Sequence, residues 1–203
     1  MRWRGKMRRE LRSSVPAPKG VLQLECLRSV RPVAQARVFD TVPGKAEVFA
    51  GRETARLGFP VSAAPTVEEA LADADIAVAA TWATEPFIEP CMVRPGTHIT
   101  TLGPDQPGKA EVSADLVRQS RFIADDAGLA LRMGAIGGVG LGAEAIAGTL
   151  GEVLAGAVRG RTSDDQITVF GAVGLPFQDL VAAWAAYNAA RDAGWGRTIA
   201  FLD

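Results

Sequence analysis

The stretch IAVAA at residues 76–80 is apolar at every position. Continuous runs of this kind are typical of strands that are covered on both faces, as in parallel sheets. Further short strands are predicted at residues 36–39, 61–63, 97–102 and 122–124. Helices are predicted between them, and Thr66 with Glu69 gives a capping-box pattern at the start of one. This alternation predicts an α/β fold with a doubly wound, Rossmann-like parallel sheet.

The two ends of the chain differ from this central part. Residues 1–14 are rich in arginine and lysine, which is unusual for a buried strand. We therefore expect the first, central strand of the sheet to be missing and residues 1–19 to form an irregular basic leader. Residues 20–145 are assigned to the Rossmann-like domain. The strand-like segment 167–170 and the long helical segment 175–193 indicate a partial second domain, which we place at residues 146–203.

The composition excludes several classes of protein. The net charge of −1 gives no general attraction to nucleic acid or to a membrane surface. No apolar run approaches the ~20 residues that a membrane-spanning helix needs. The two cysteines, Cys26 and Cys91, do not form a disulfide framework, so we expect a cytoplasmic protein. No cluster of cysteine and histidine has the spacing of a metal site, so no metal is predicted.

One acid is placed where a dinucleotide cofactor could be bound. Asp40 follows the predicted strand 36–39, and a carboxylate there can accept hydrogen bonds from both ribose hydroxyls of adenosine. It would repel a 2′-phosphate, which favours NAD over NADP, although an ordinary helix-capping or surface acid is an alternative. The glycine-rich turn that should precede the first helix reads VPAPKG at residues 15–20, and only Gly20 remains. We expect this phosphate-binding turn to be damaged.

The stretch GPDQPGKAE at residues 103–111 is the strongest candidate for a catalytic motif. It follows the predicted strand 97–102, so it lies at the carboxyl edge of the sheet, where open α/β folds bind ligands. Asp105 could exchange a proton with a substrate nitrogen, and Lys109 could lie near a cofactor or pair with Asp105. We take Gly103 as a further cofactor contact. On spacing alone, a solvated turn is the favoured interpretation, because Asp, Pro and Gly are common in turns for local reasons.

Three blocks in this order resemble the ornithine cyclodeaminase and mu-crystallin family: VLQLECLRSVRPVAQARVFDT, GPDQPGKAE and GRTSDDQITVFGAVGLPFQD. The resemblance covers residues 20–195 and implies that Asp105 donates and accepts protons and that Lys109 contacts the dinucleotide. It implies that Asp40, with Thr41 beside it, holds the ribose of NAD and that Thr81 lies near the adenosine half. In the third block the resemblance implies that Val173 lines the substrate. The serine that usually precedes this valine is replaced by Ala172.

The departures from the family concern the amino-terminal part. The resemblance implies a longer segment before the dinucleotide turn, which supplies most of a substrate and dimer domain and the basic residues that grip a substrate carboxylate. That segment is not recognisable, so we expect an N-terminally truncated member whose residues 146–203 belong to the helical part of that domain. A missing central strand would expose neighbouring strand edges, which predicts self-association, through either a homodimer or aggregation.

Three functions are therefore compatible with the sequence. The first is NAD-dependent conversion of ornithine to proline with release of ammonia, incomplete in this chain. The second is imine reduction or amino-acid dehydrogenation by a member of the same family. The third is a non-catalytic remnant or small-molecule-binding protein. His98, on an apolar strand, is interpreted as a structural histidine, and Trp82, Trp184 and Trp195 are interpreted as packing residues.

Overall fold

A computed structural model describes residues 10–14, 18–197 and 199. The strands of the described chain are Glu10–Ser14 (β1), Gln35–Val38 (β2), Val61–Ala63 (β3), Ile76–Ala79 (β4), His98–Thr101 (β5), Arg121–Ala124 (β6), Ile146–Thr149 (β7) and Thr168–Gly171 (β8). The α-helices are Pro18–Val30 (α1), Lys45–Leu57 (α2), Val67–Leu71 (α3), Ala114–Gln119 (α4), Ala127–Arg132 (α5), Gly134–Gly137 (α6), Leu150–Leu154 (α7) and Pro176–Asp192 (α8). The α/β class predicted from the alternation is confirmed.

All the strands belong to one parallel sheet in the order β3-β2-β1-β4-β5-β8-β6-β7. The first five positions follow the 3-2-1-4-5 order of a Rossmann-like, doubly wound sheet. The late strand β8 lies between β5 and β6, and its Val169 is in register with Ile99 on one side and Phe122 on the other. Because every pairing is parallel, the carboxyl ends of all the strands lie along one edge.

The expectation that the central strand is missing was wrong. β1 is an interior strand of the sheet and pairs with β2 on one side and β4 on the other, with Leu11 in register with Ala36 and with Ile76. Strand pairing uses backbone N–H and C=O groups, which every residue but proline supplies, so a polar sequence does not prevent it. The high charge of residues 1–14 was therefore not a valid reason to exclude a strand there. The other residues assigned to a basic leader, 1–9 and 15–17, lie outside the described part of the chain.

The expected boundary after residue 145 also differs from the structure. β7 and β8, which follow that position, are hydrogen-bonded members of the main sheet. The chain divides into two units between Val173 and Gly174. In the second unit α8 has no buried residue, and the rings of Trp184 and Tyr187 stack on each other with centroids 5.6 Å apart. A separate carboxyl-terminal unit therefore exists, but it is shorter than predicted.

Two apolar clusters form the core of the first unit. One lies around α1, α2 and β2, where Leu24, Val38 and Phe49 are buried. The other includes Ile99 of β5 and Phe122 of β6 together with residues of α4, α5 and α6. The predicted cap of α3 is present, since Thr66 Oγ1 accepts a hydrogen bond from the Glu69 amide at 3.1 Å. No helix within the described residues is long and apolar enough to cross a membrane.

Gly171 provides a test of the inserted strand β8. A Cβ atom at this position would lie 2.3 Å from Cζ of Phe122, whose ring is fully buried. We expect Gly171→Ala to lower the free energy of unfolding by about 1–3 kcal/mol, as overpacking of a core does. The matched control is Gly51→Ala in α2, where an added Cβ meets nothing within 4 Å. That change should raise stability by about 0.5–1 kcal/mol, because alanine favours a helix over glycine. Urea denaturation measures both, and equal effects of the two changes would contradict the position of β8.

Candidate active site

The predicted site residues lie just beyond the carboxyl ends of strands, and therefore along one edge of the sheet. They follow β2, β4, β5 and β8, and they are Asp40, Thr41, Thr81, Gly103, Asp105, Lys109 and Val173. Parallel pairing explains why residues so distant in sequence share this edge. Because β4, β5 and β8 are adjacent, Thr81, Gly103 and Val173 begin side by side. Asp40 and Thr41 lie further along, because β1 separates β2 from β4.

A buried carboxylate joins the ends of β4 and β5. Oε1 of Glu111 accepts hydrogen bonds from the amide and the hydroxyl of Thr81, at 2.5 and 2.8 Å. Oε2 accepts from the hydroxyl of Thr101 at 2.7 Å and from the amides of Leu102 and Gly103 at 3.2 and 3.0 Å. The sequence alone did not indicate a role for Glu111, although this residue ends the motif at residues 103–111. The role of Glu111 depends on its burial, which the spacing of residues in the sequence does not reveal.

A glycine is required at position 103 because the two strand ends approach each other closely there. A Cβ atom on it would lie 2.4 Å from the Thr81 carbonyl oxygen and 2.5 Å from Oε1 of Glu111. No other residue type fits that space without moving the backbone. The amide of Asp105 then donates to the carbonyl of Gly103 at 2.8 Å, so the turn that carries Asp105 starts from a fixed point.

Asp105 and Lys109 form an ion pair in the turn that follows β5. Nζ of Lys109 donates to Oδ1 of Asp105 at 2.7 Å. Gly108 has φ of 79°, a left-handed conformation that glycine tolerates and that turns the chain back toward Asp105. The lysine side chain is 9% exposed and the aspartate side chain 35% exposed, so the carboxylate is the more accessible partner. Of the two roles considered for Lys109, the structure shows pairing with Asp105.

Trp82 adds an aromatic surface to this pair. The ammonium of Lys109 lies 4.4 Å from the centroid of the Trp82 ring, within the range of a cation–π interaction. Trp82 is 76% exposed, so its interpretation as a packing residue was wrong. Trp82 follows Thr81 directly. An aromatic residue so close to a strand end at the ligand-binding edge was a sequence signal that could have indicated a role in the site.

Asp40 and Thr41 lie beyond β2. Oδ1 of Asp40 accepts a hydrogen bond from the Val42 amide at 2.7 Å, which orients the half-buried carboxylate at the strand end. Thr41 is exposed. The strand β1, the helix α1 and an acid after β2 are the parts that a dinucleotide-binding unit uses to hold an adenosine and its phosphates. The residues present therefore fit NAD at the ribose position.

The phosphate-binding turn connects β1 to α1. Its residues 15–17, on which the expectation of a damaged turn depends, lie outside the described part of the chain. Pro18 begins α1, and Gly20, the glycine retained from the expected pattern, is buried in the first turn of that helix. Proline is tolerated there because the first amides of a helix have no partner within it.

Val173 lies beyond the end of β8. Its amide donates to Oδ2 of Asp125 at 2.8 Å. A Cβ atom on Gly134 would lie 2.7 Å from Cγ2 of Val173 and 3.5 Å from the carbonyl oxygen of Pro104, so these two residues flank the start of α6. The structure therefore places Val173 close to the segment that carries Asp105. Ala172, which replaces a serine of the family pattern, has its amide bonded to the Thr101 carbonyl at 3.0 Å.

An α/β protein with an ion pair and a potential ribose-binding acid at the carboxyl edge belongs to the class of dinucleotide-binding folds. The model of the ornithine cyclodeaminase/mu-crystallin family matches residues 19–194. The chain therefore belongs to this family, as the three sequence blocks indicated.

Individual relatives agree with that assignment. The chain is 34% identical over 185 residues to the alanine dehydrogenase of Archaeoglobus fulgidus, which covers 89% of this chain and 56% of the relative. The structure of an archaeal alanine dehydrogenase dimer with bound NAD superimposes with a TM-score of 0.87 at 30% identity, over 95% of this chain and 60% of that one. A lysine cyclodeaminase structure gives a TM-score of 0.83 at 30% identity, over 95% and 56%. The chain thus spans a little over half the length of these relatives.

His98 lies away from this edge, at the amino end of β5. Its Nδ1 lies 2.8 Å from Oγ1 of Thr168 and its Nε2 lies 3.3 Å from Oγ1 of Thr100. Burial and, to a smaller extent, the positive charge of Arg161 together lower the pKa of His98 to about 4. The imidazole is therefore neutral at pH 7, in agreement with its interpretation as a structural histidine.

This shift predicts an acid-dependent loss of stability. The pKa of His98 is about 4 in the folded chain, against an ordinary 6.5, so the unfolded chain binds the proton first as pH falls. The stabilisation from the neutral His98 is complete above pH 6.5 and is lost as pH falls through about 4, and a shift of this size corresponds to at most about 3–4 kcal/mol. We expect His98→Asn to lose less stability than the wild type between pH 7 and pH 4.5, as measured by urea denaturation. Parallel losses in both proteins would contradict the assigned shift.

Proposed function

We propose that this chain binds NAD and takes part in hydride transfer at the amino- or imino-bearing carbon of an amino acid. The observation that supports this most is the Asp105–Lys109 pair, 2.7 Å apart, at the carboxyl edge of the parallel sheet. Ligands of open α/β sheets bind at that edge. The named relatives act on amino acids, as an alanine dehydrogenase and a lysine cyclodeaminase.

NAD would be held from the ends of several strands. Asp40 would accept the ribose hydroxyls, and Thr41, Thr81, Gly103 and Lys109 would line the rest of its path. When bound, the nicotinamide supplies the hydride acceptor and donor. The protein supplies orientation and charge, since the Lys109 ammonium lies against the exposed Trp82 ring and pairs with Asp105.

Asp105 would move the proton that accompanies hydride transfer. Its carboxylate is the more exposed member of the ion pair, so a substrate nitrogen can reach it. Lys109 holds Oδ1 in a defined orientation, which matters because proton transfer needs hydrogen-bonding distance to the reacting nitrogen. Val173 and Pro104 both lie close to Gly134, so Val173 is near the turn that carries Asp105. It would contact the apolar part of the substrate.

Two specific reactions fit this site. One is the conversion of ornithine to proline with release of ammonia, favoured by the likeness to a lysine cyclodeaminase that recognises L-ornithine. The other is amino-acid dehydrogenation, favoured by the likeness to alanine dehydrogenases in both sequence and structure. We further propose that the functional form is a homodimer, because the archaeal relative is one.

The ribose contact can be tested by titrating the chain with NAD in a calorimeter. We expect Asp40→Asn to weaken NAD binding by about tenfold or more, because a charged acceptor of hydroxyl hydrogen bonds is lost. Asp115→Asn is the matched control, since Asp115 is 72% exposed on α4 and only pairs with Arg118. The control should bind as the wild type does. Equal affinities for all three proteins would exclude Asp40 from the site.

The proton-transfer role can be tested with Asp105→Asn, which keeps the size of the side chain. We expect turnover to fall by about 10²–10⁴-fold while NAD binding changes little. Ammonia release from ornithine and NADH formation from alanine distinguish the two specific reactions. Gln106→Ala, an exposed change in the same turn, should leave turnover unchanged. Unaltered turnover by Asp105→Asn would refute the role, and NAD binding without turnover by the wild type would support the non-catalytic alternative.

A further inference from the structure

We propose that Glu111 is a positioning residue for the NAD site, a role that rests on the proposed function. Its carboxylate fixes the end of β4 relative to the start of the Asp105 turn. It thereby sets the spacing of the residues between which NAD would lie.

The first support is the number of separate donors that converge on one side chain. Thr81 bonds one carboxylate oxygen through both its amide and its hydroxyl. Thr101, Leu102 and Gly103 bond the other oxygen. A carboxylate accepts at both oxygens, whereas a glutamine would direct an NH₂ group at donors on one side. The arrangement is therefore specific to glutamate and not merely to a polar side chain of that length.

The second support is burial. Glu111 is fully buried, and a buried charge is tolerated only where it is well hydrogen-bonded. If the only requirement were to hold two strand ends together, apolar side chains could do so at a smaller desolvation cost than a buried carboxylate. Instead, three backbone amides and two hydroxyls at the edge of the sheet donate to this carboxylate, and of these the Gly103 amide and the Thr101 hydroxyl are buried.

The third support is the backbone of the same residue. The carbonyl oxygen of Glu111 accepts from the amides of Phe87 and Ile88, at 3.1 and 3.0 Å. Residue 111 therefore fixes three segments: the end of β4, the end of β5 and the loop that returns after Trp82. Lys109, two residues earlier, carries the ammonium that orients Asp105, so displacement of Glu111 would also move that ion pair.

The test compares Glu111→Gln with Glu53→Gln. Glu53 is also buried, and it accepts hydrogen bonds from Arg52 and Arg56 at 2.7 and 2.6 Å, but it lies on α2. Two quantities are measured: the dissociation constant for NAD by calorimetry, and the exchange rates of the amides of Thr81, Leu102 and Gly103 by NMR. The second measurement needs no bound cofactor.

We expect Glu111→Gln to weaken NAD binding by at least tenfold and to speed the exchange of these amides relative to the rest of the sheet. Glu53→Gln should leave both quantities near their wild-type values, even if its stability falls. Thr101→Val keeps the carboxylate and removes one donor, so it should give a smaller change in the same direction, and it decides the matter if Glu111→Gln does not fold.

Wild-type affinity and wild-type exchange rates in folded Glu111→Gln would overturn the proposal, as would equal losses in Glu111→Gln and Glu53→Gln. Failure of the wild-type chain to bind NAD would instead refute the proposed function. In that case the exchange rates would still show whether Glu111 fixes the three amides.

Discussion

The site depends on the parallel pairing of β4, β5 and β8. Backbone hydrogen bonds in register place Ala79, Thr101 and Gly171 at neighbouring strand ends, although they are far apart in the sequence. Each strand then continues directly into a candidate site segment. The insertion of β8 beside β5 is what brings Val173 near the turn that carries Asp105, and the close contact of Gly171 with Phe122 leaves little freedom in that insertion.

The two carboxylates at this edge differ in their exposure to solvent. The buried carboxylate of Glu111 accepts hydrogen bonds from backbone amides and threonine hydroxyls and holds the strand ends together. The partly exposed carboxylate of Asp105 pairs with Lys109 beside the exposed Trp82 ring. Because Glu111 is inaccessible, it is suited to fixing geometry. Asp105 can be reached from solvent and is suited to proton exchange.

Apolar runs and turn residues predicted most of the sheet, because β2, β3, β4, β5 and β6 lie close to the expected positions. β1 was missed because its sequence is charged and its stability comes from backbone pairing on both sides. The membership of β7 and β8 in the main sheet depends on contacts over long sequence distances, which local patterns do not encode. The same limit applies to the site: the motif revealed Asp105 and Lys109, whereas Glu111 became apparent only through its burial and its partners.

A crystal structure of this chain grown with NAD would show directly whether the carboxyl edge of the sheet is the cofactor site. We predict that the adenosine ribose lies at Asp40 and that the nicotinamide lies beside Asp105 and Lys109, next to the strand ends joined by Glu111. NAD bound at the opposite edge of the sheet, near His98, would contradict this prediction. So would crystals in which NAD at saturating concentration leaves the carboxyl edge empty.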